Sequence, residues 1–342
     1  MAYQNVGTPR FYINVLEWLA STGAIELESV GLSSGDTYQL NKLLRTLPVV
    51  PEAVSPEYQV INGSFDMLNN NFFVMALGHK LGTITASVLI ADTSIDWIVN
   101  NSLYSGIDGF SIAIGDTNFP PSFTSELTFT FLGDLSSDTI LIGSLIMGTY
   151  YDMPNAPNLS LMISREYGGT KEFTTQNGSS MSNTMWSKPP AWGDLGAWEL
   201  DDGTSTSQAL SRSGRRSWDL KFSYMDDGDL WGPNQMLSYV SPNTDAQNIS
   251  IGYEVDDVFI IGVGVNEEGS AKFNYYLLTD DNFFSQVWHK TLGGTLPFIF
   301  QPDNLNNNPD QFAICKFKDN SLKATQSAFN VYDVSVSIEE VW

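Results

Sequence analysis

The chain reads as a mainly β protein of two β-sandwich-type domains, and three observations carry that reading. Apolar and polar residues alternate with period two in several runs, turn-forming dipeptides separate the runs, and hydrophobic residues make up 42% against 16% charged. Side chains in a strand point to opposite faces by turns, so each alternating run is a half-buried strand with one dry face. Many short strands with frequent turns stack as a sandwich or barrel.

Taken in order, Phe11–Leu19 places Val15, Leu16 and Leu19 on one stripe with Trp18 beside them, which predicts a short N-terminal helix. Phe72–Leu77 reads as a strand, and His79 as a structural residue closing its end rather than a metal ligand. Leu127, Phe129 and Phe131 alternate with Glu126, Thr128 and Thr130. Leu159, Leu161 and Ile163 alternate with Ser160, Met162 and Ser164. Trp218, Leu220, Phe222 and Tyr224 alternate with Ser217, Asp219, Lys221 and Ser223, and Val334, Val336 and Ile338 with Ser335, Ser337 and Glu339. Between them, Asn177-Gly178, Asp202-Gly203 and Asp227-Gly228 supply the positive φ angles of hairpin turns. The stretch Asn177–Thr206 reads as a long ordered loop pinned by Trp186, Trp192 and Trp198. A second helix is predicted over Asp280–Lys290, capped by Asp280, Asp281 or Asn282 and ended by Gly293-Gly294. His289 is expected to face the helix C-terminus, where positive charge is favourable. Two prolines near Tyr150–Asn158 mark a boundary, which gives domains 1–150 and 151–342, the second with an insertion at 231–272.

Composition removes whole classes of function. Sixteen basic against thirty-nine acidic residues leave a net charge of −23, whereas nucleic-acid binding draws its affinity from cationic side chains. From Leu81 to Ser164 there is no Lys or Arg at all, while Asp92, Asp96, Asp108, Asp116, Glu126, Asp134, Asp138 and Asp152 are acidic. The longest apolar runs fall far short of the ~20 residues that span a bilayer, so no membrane insertion is expected. Met1–Arg10 lacks a basic segment followed by an apolar one, so no secretory leader is expected. Cys315, the single cysteine, sits in a strand-like run and reads as a buried thiol.

Chemical motifs are sparse. Two histidines are present, and no nucleophile elbow, Walker loop or His-Glu-x-x-His occurs, so neither catalysis nor a cofactor is expected. Tyr224-Met225-Asp226-Asp227 spells a polymerase signature, but two-metal chemistry needs a third carboxylate and a basic channel; the residues read as a strand end with an Asp-Gly turn. Asp226, Asp227 and Asp229 are a weak calcium candidate, set against a solvated turn, because no Asp-x-Asp-x-Asp-Gly loop is completed. Basic residues cluster once, at Arg212, Arg215 and Arg216. They read either as internal salt bridges or as an assembly interface for acidic neighbours in an oligomer.

The order of the last third is the most specific feature. A strand at Trp218–Tyr224 is followed by the helix Asp280–Lys290, then Gly293-Gly294, Pro297-Phe298-Ile299-Phe300, a strand Gln311–Phe317 and a last strand Phe329–Trp342. Over Leu210–Trp342 this resembles the hub domain of bacteriophage tail-tip proteins, the distal tail proteins and the lambdoid minor tail protein. The insertion and the long N-terminal region depart from that pattern. Phe73-Val74-Met75-Ala76-Leu77-Gly78-His79-Lys80-Leu81 followed by Ala86-Ser87-Val88-Leu89-Ile90 looks like part of a galactose-binding-like jelly roll, and Tyr150–Pro154 and Leu210–Leu220 are similar to marine phage virion proteins.

The resemblance implies an N-terminal jelly roll and a C-terminal tail-hub domain with one short helix. It implies a non-enzymatic, ring-forming virion protein, assembled in the host cytoplasm, that links the tail tube to the adsorption apparatus. Its partners would be further copies of itself and other tail proteins. Two alternatives stand beside this: a carbohydrate- or receptor-binding module meeting a host surface glycan through Trp97, Trp186 or Trp192, and a head decoration or connector protein.

Overall fold

A computed structural model describes residues 7–30, 57–62, 65–66, 71–77, 88–90, 93–95, 97–99, 110–115, 122–123, 126–131, 143–159, 162–166, 170–184, 215–231, 253–255, 258–260, 281–308, 311–328 and 331–341. Within these, the backbone alone is described at 27–30, 57–62, 65–66, 88–90, 93–95, 97–99, 115, 122–123, 126–131, 166, 170–171, 182–184, 227, 253–255 and 258–260. Expectations at His79, Asp202-Gly203, Trp186, Trp192, Trp198 and Arg212, and over most of 231–272, lie outside the described residues.

The fold is mainly β, built on one antiparallel sheet of eleven strands. In chain order its strands are β1 (Arg10–Ile13), β2 (Phe72–Leu77), β3 (Trp97–Val99), β4 (Phe110–Gly115), β5 (Ser144–Asp152), β6 (Met162–Glu166), β7 (Arg215–Asp226), β8 (Phe298–Gln301), β9 (Ala313–Phe317), β10 (Ala324–Ala328) and β11 (Val331–Glu340). Across the sheet they run β6-β7-β11-β9-β8-β1-β5-β2-β4-β3, with β10 paired beside β9 on the same side of β11. A five-stranded sheet gathers 26–30, 57–62, 126–131, 88–90 and 93–95, a hairpin occurs at 170–184, and 253–255 pairs with 258–260.

The N-terminal segment departs from expectation. Phe11, Tyr12 and Ile13 are not helical. They form the strand that bridges β8 and β5, pairing Phe11 with both Phe300 and Tyr151. Aromatic and β-branched residues suit a strand buried on both faces. Phe11 and Ile13 enter one core cluster while Tyr12 enters the other. The helix α1 begins only at Val15 and runs to Thr22; the side chain of Asn14 caps it by accepting from the Glu17 amide at 3.3 Å. Gly148 sits beneath this junction, and a Cβ there would collide with the Ile13 carbonyl oxygen.

Because β1 pairs with β5 on one side and β8 on the other, the sheet is continuous from the N-terminal to the C-terminal half. The boundary expected after residue 150 falls inside β5. Six central strands are dry on both faces: Phe298, Phe300, Ala313, Cys315 and Phe317 face one cluster, and Ile299, Phe312, Ile314, Phe73, Met75 and Ile112 the other. Toward β7 and β11 only the first face stays dry, closed by Trp218, Leu220, Phe222, Val334, Val336 and Ile338. The opposite face there carries the half-exposed ion pair of Lys221 with Asp333, at 3.4 Å.

Over the first face lies the predicted second helix, whose regular part is a π-helix at Phe284–His289. Asn282 is its cap, accepting from the Ser285 amide at 2.8 Å. Phe283, Val287 and Trp288 plug the core, and Phe283 meets Phe11 edge-on with ring centroids 5.6 Å apart. Gly293 and Gly294 end it at positive φ, as the sequence predicts; a Cβ on Gly294 would press on Phe317. The C-terminal region also holds a four-residue helical turn at Asp227–Leu230, where a hairpin turn is expected.

Two strands depart in phase. In β7 the register shifts between Phe222 and Met225, so Met225 is buried and Tyr224 points outward, 81% exposed at φ +62°. The expected inward position of Tyr224 is thus taken by Met225, because a β-bulge adds one residue to the strand. Of the run expected over Leu159–Ser164, Met162–Ser164 belong to β6, an edge strand with no dry face among its described side chains; Leu159, Met162 and Ile163 are 75%, 58% and 56% exposed. The hairpin at 170–184 turns at Asn177-Gly178 as predicted, and its second strand occupies 180–184, where a loop is expected.

Candidate assembly edge

Of the clustered arginines, Arg215 and Arg216 lie at the β6 end of the sheet. Arg215 and Arg216 are the first two residues of β7, rather than a loop before it. Arg215 stands opposite Glu166 of β6, and Arg216 opposite Arg165. Beside them the hydroxyls of Ser164 and Ser217 are hydrogen-bonded at 2.6 Å.

Arg216 turns inward. Its Nε donates to Oε1 of Glu340 at 2.6 Å, its backbone amide donates to Oε2 of the same carboxylate at 2.5 Å, and its guanidinium reaches the Phe312 carbonyl oxygen at 3.0 Å. Both partners are buried. Of the two readings open for this residue, the structure has the internal ion pair. Its cause is visible in β11: the inward row Tyr332, Val334, Val336, Ile338 ends in Glu340, so the period-two pattern drives a carboxylate into the interior. Burial raises the Glu340 pKa, and Arg216 opposes that shift. Cys315 pairs in register with Glu340 and is buried, as its sequence setting predicts; burial, then the Glu340 charge, pushes its thiol well up and keeps it protonated. Glu340 carries no sequence signal of its own beyond its place in the alternation.

The edge outside this ion pair is exposed, with Met162 and Ile163 beside Ser164 and Arg165. After Met153 the chain runs along β7: the Asn158 amide donates to the Lys221 carbonyl at 2.8 Å, and its side chain donates to Ser223 Oγ at 2.9 Å. Leu159, Met162 and Ile163 are exposed there, and the bulge farther along β7 holds Tyr224 out. Left-handed backbone at a bulky residue costs about 1–2 kcal/mol, so the surrounding pairing imposes this placement. Among the described residues no strand covers the outer side of β6.

Of the acidic residues Asp226, Asp227 and Asp229, the side chain of Asp227 lies outside what the structure describes. Oδ1 of Asp226 accepts from the Gly228 amide at 2.9 Å, which is an Asx turn, and the Asp229 carbonyl accepts from the Tyr151 hydroxyl at 3.1 Å. Burial, then repulsion from Asp226, raises the Asp229 pKa. Among the described residues no group of three His, Cys, Asp or Glu side chains is placed to hold a metal.

The π-helix carries a second unforeseen feature. Lys290, read from sequence as a residue of the last turn, is buried, with its Nζ donating to Gln286 Oε1 at 2.7 Å. The same oxygen accepts from Thr149 of β5 at 3.4 Å. Burial lowers the Lys290 pKa to about 7, against the opposing pull of Asp281. His289, half-buried beside Trp18 with ring centroids 5.6 Å apart, is likewise lowered by burial and by Lys290. It is not the favoured cation that its place at the helix end predicts.

No family model, curated protein or solved structure matches this chain. No helix among the described residues is long and apolar enough to cross a membrane.

Proposed function

We propose that the chain is a non-enzymatic structural subunit of a bacteriophage tail, a ring-forming component between the tail tube and the adsorption apparatus. The observation that carries this reading is the order of elements in the last third. Strand β7 is followed by a helix ended by Gly293-Gly294, the Phe298–Gln301 strand, the Ala313–Phe317 strand and the closing strand Val331–Glu340, the succession on which the likeness to tail-hub domains rests. The open edge at β6, with Met162 and Ile163 exposed, supports it, because an unpaired strand edge is a surface on which another chain can pair. Two β-sandwich-type units belong to the same reading: a jelly-roll-like region to residue 150 and a hub-like region over 151–342, sharing the large sheet.

The test is location. Antibody labelling of intact particles is expected to mark the tail tip, and electron images of the purified chain are expected to contain closed rings. Label on the capsid would replace this reading with the head-protein alternative, and absence from particles would end it.

A further inference from the structure

Among the described residues the hairpin at 170–184 forms a sheet of its own two strands and pairs with no third. Every described side chain from Glu172 to Met181 is exposed except that of Thr175, so neither face is covered. Phe173 and Met181 stand opposite each other and are 58% and 61% exposed. A two-stranded hairpin without packing is marginal in water and opens at little cost. Its loop carries Asn177-Gly178, and Thr175 closes it. The Thr175 amide donates to the Ser179 carbonyl at 2.8 Å, its carbonyl accepts from the Gly178 amide at 2.9 Å, and its Oγ1 accepts from the Ser179 amide at 3.0 Å. Gly178 completes the loop at φ +79°, with nothing within 4 Å of where a Cβ would stand.

We infer that Asn177 is a modification site, an asparagine that converts spontaneously through a cyclic imide when the loop opens, and that Thr175 sets how often it opens. While the loop is closed, the Gly178 amide is held to the Thr175 carbonyl. Once it opens, that nitrogen is free to attack Cγ of the Asn177 carboxamide, and glycine has no side chain to hinder the approach. The N–Cγ bond forms, the amide proton goes to water, the Cγ–NH2 bond breaks and ammonia leaves. Water then adds to either carbonyl of the imide, which leaves an aspartyl or an isoaspartyl linkage at position 177. Both products add a negative charge. The isoaspartyl one also puts an extra methylene into the backbone, next to the paired Thr174 and Ser180. The chain has one other Asn-Gly step, Asn62-Gly63, and Asn62 is paired with Glu26 inside the five-stranded sheet.

The full chain, Thr175→Val and Asn177→Gln are incubated at mildly alkaline pH, both native and unfolded in urea. Conversion is followed by peptide mass mapping that separates aspartyl from isoaspartyl forms. Asn177→Gln, whose side chain is a methylene longer and closes the ring poorly, marks the background. In the wild type, position 177 is expected to give both forms ahead of the buried caps Asn14 and Asn282. Its native rate should lie within about a hundredfold of the unfolded one. Thr175→Val is expected to raise the native rate about twofold or more, the effect of one lost hydrogen bond on opening, and to leave the unfolded rate unchanged. An aspartyl product alone would mean direct hydrolysis by water and overturn the attack by Gly178. Native conversion slowed beyond about a hundredfold would mean a hairpin held as firmly as the core, and the site would fall. Equal native rates in the wild type and Thr175→Val would overturn the control by Thr175.

Discussion

Single residues carry the least foreseeable part of this molecule, and the Arg216–Glu340 pair is the clearest case. Removing one partner of a buried ion pair leaves the other charge uncompensated, at a cost of about 3–5 kcal/mol. Arg216→Met is therefore expected to lower stability by about that much in denaturant unfolding, and Arg216→Met with Glu340→Leu to recover most of it. A double variant as unstable as the single one would mean that the pair does more than neutralise itself. Reversing Arg212, Arg215 and Arg216 together to Glu is consequently a folding lesion, since it sets a second carboxylate against buried Glu340. Lys290 gives a second test. Its folded pKa near 7 lies below its ordinary 10.5, so between those values the unfolded chain binds more protons, and stability rises with pH across that window. Subtracting the Lys290→Met pH–stability curve from that of the wild type should leave a rise from about pH 7 to about 10.5. A flat difference would mean that Lys290 is solvated.

At the scale of elements, the closing strand β11 has the most to lose. It lies between β7 on one side and β9 with β10 on the other, and it buries Tyr332, Val334, Val336 and Ile338. Ile338→Ala is expected to cost about 2–5 kcal/mol. Deleting 331–342 removes four such side chains against a net domain stability of about 5–15 kcal/mol, so the C-terminal half should no longer melt cooperatively by calorimetry. The N-terminal strand β1 has a comparable role from the other end of the chain, joining β8 to β5. A fragment that begins at residue 151 lacks that bridge and should expose Phe298 and Phe300, measurable as binding of a hydrophobic dye.

For the whole molecule, net charge and sheet architecture act against each other. Repulsion between copies of charge −23 extends about 30 Å at 0.01 M salt and about 8 Å at 0.15 M. Self-association is therefore expected to strengthen over that range in sedimentation experiments, even though individual ion pairs weaken. Assembly that falls steadily with salt would mean that attraction between opposite charges dominates. The sequence by itself determined the mainly β class, the strands at Phe72–Leu77, Glu126–Phe131 and the C-terminus, a helix cap among Asp280, Asp281 and Asn282, the Gly293-Gly294 stop and the buried Cys315, because periodicity and turn chemistry are local properties. Only the tertiary structure decided that Phe11–Ile13 is a central strand, that Tyr224 is out and Met225 in, and that Met162 and Ile163 lie on an open edge. It alone set Arg216, Glu340 and Lys290 inside. Each of these depends on which strands lie side by side, and pairing between segments far apart in the chain leaves no periodic trace in either one.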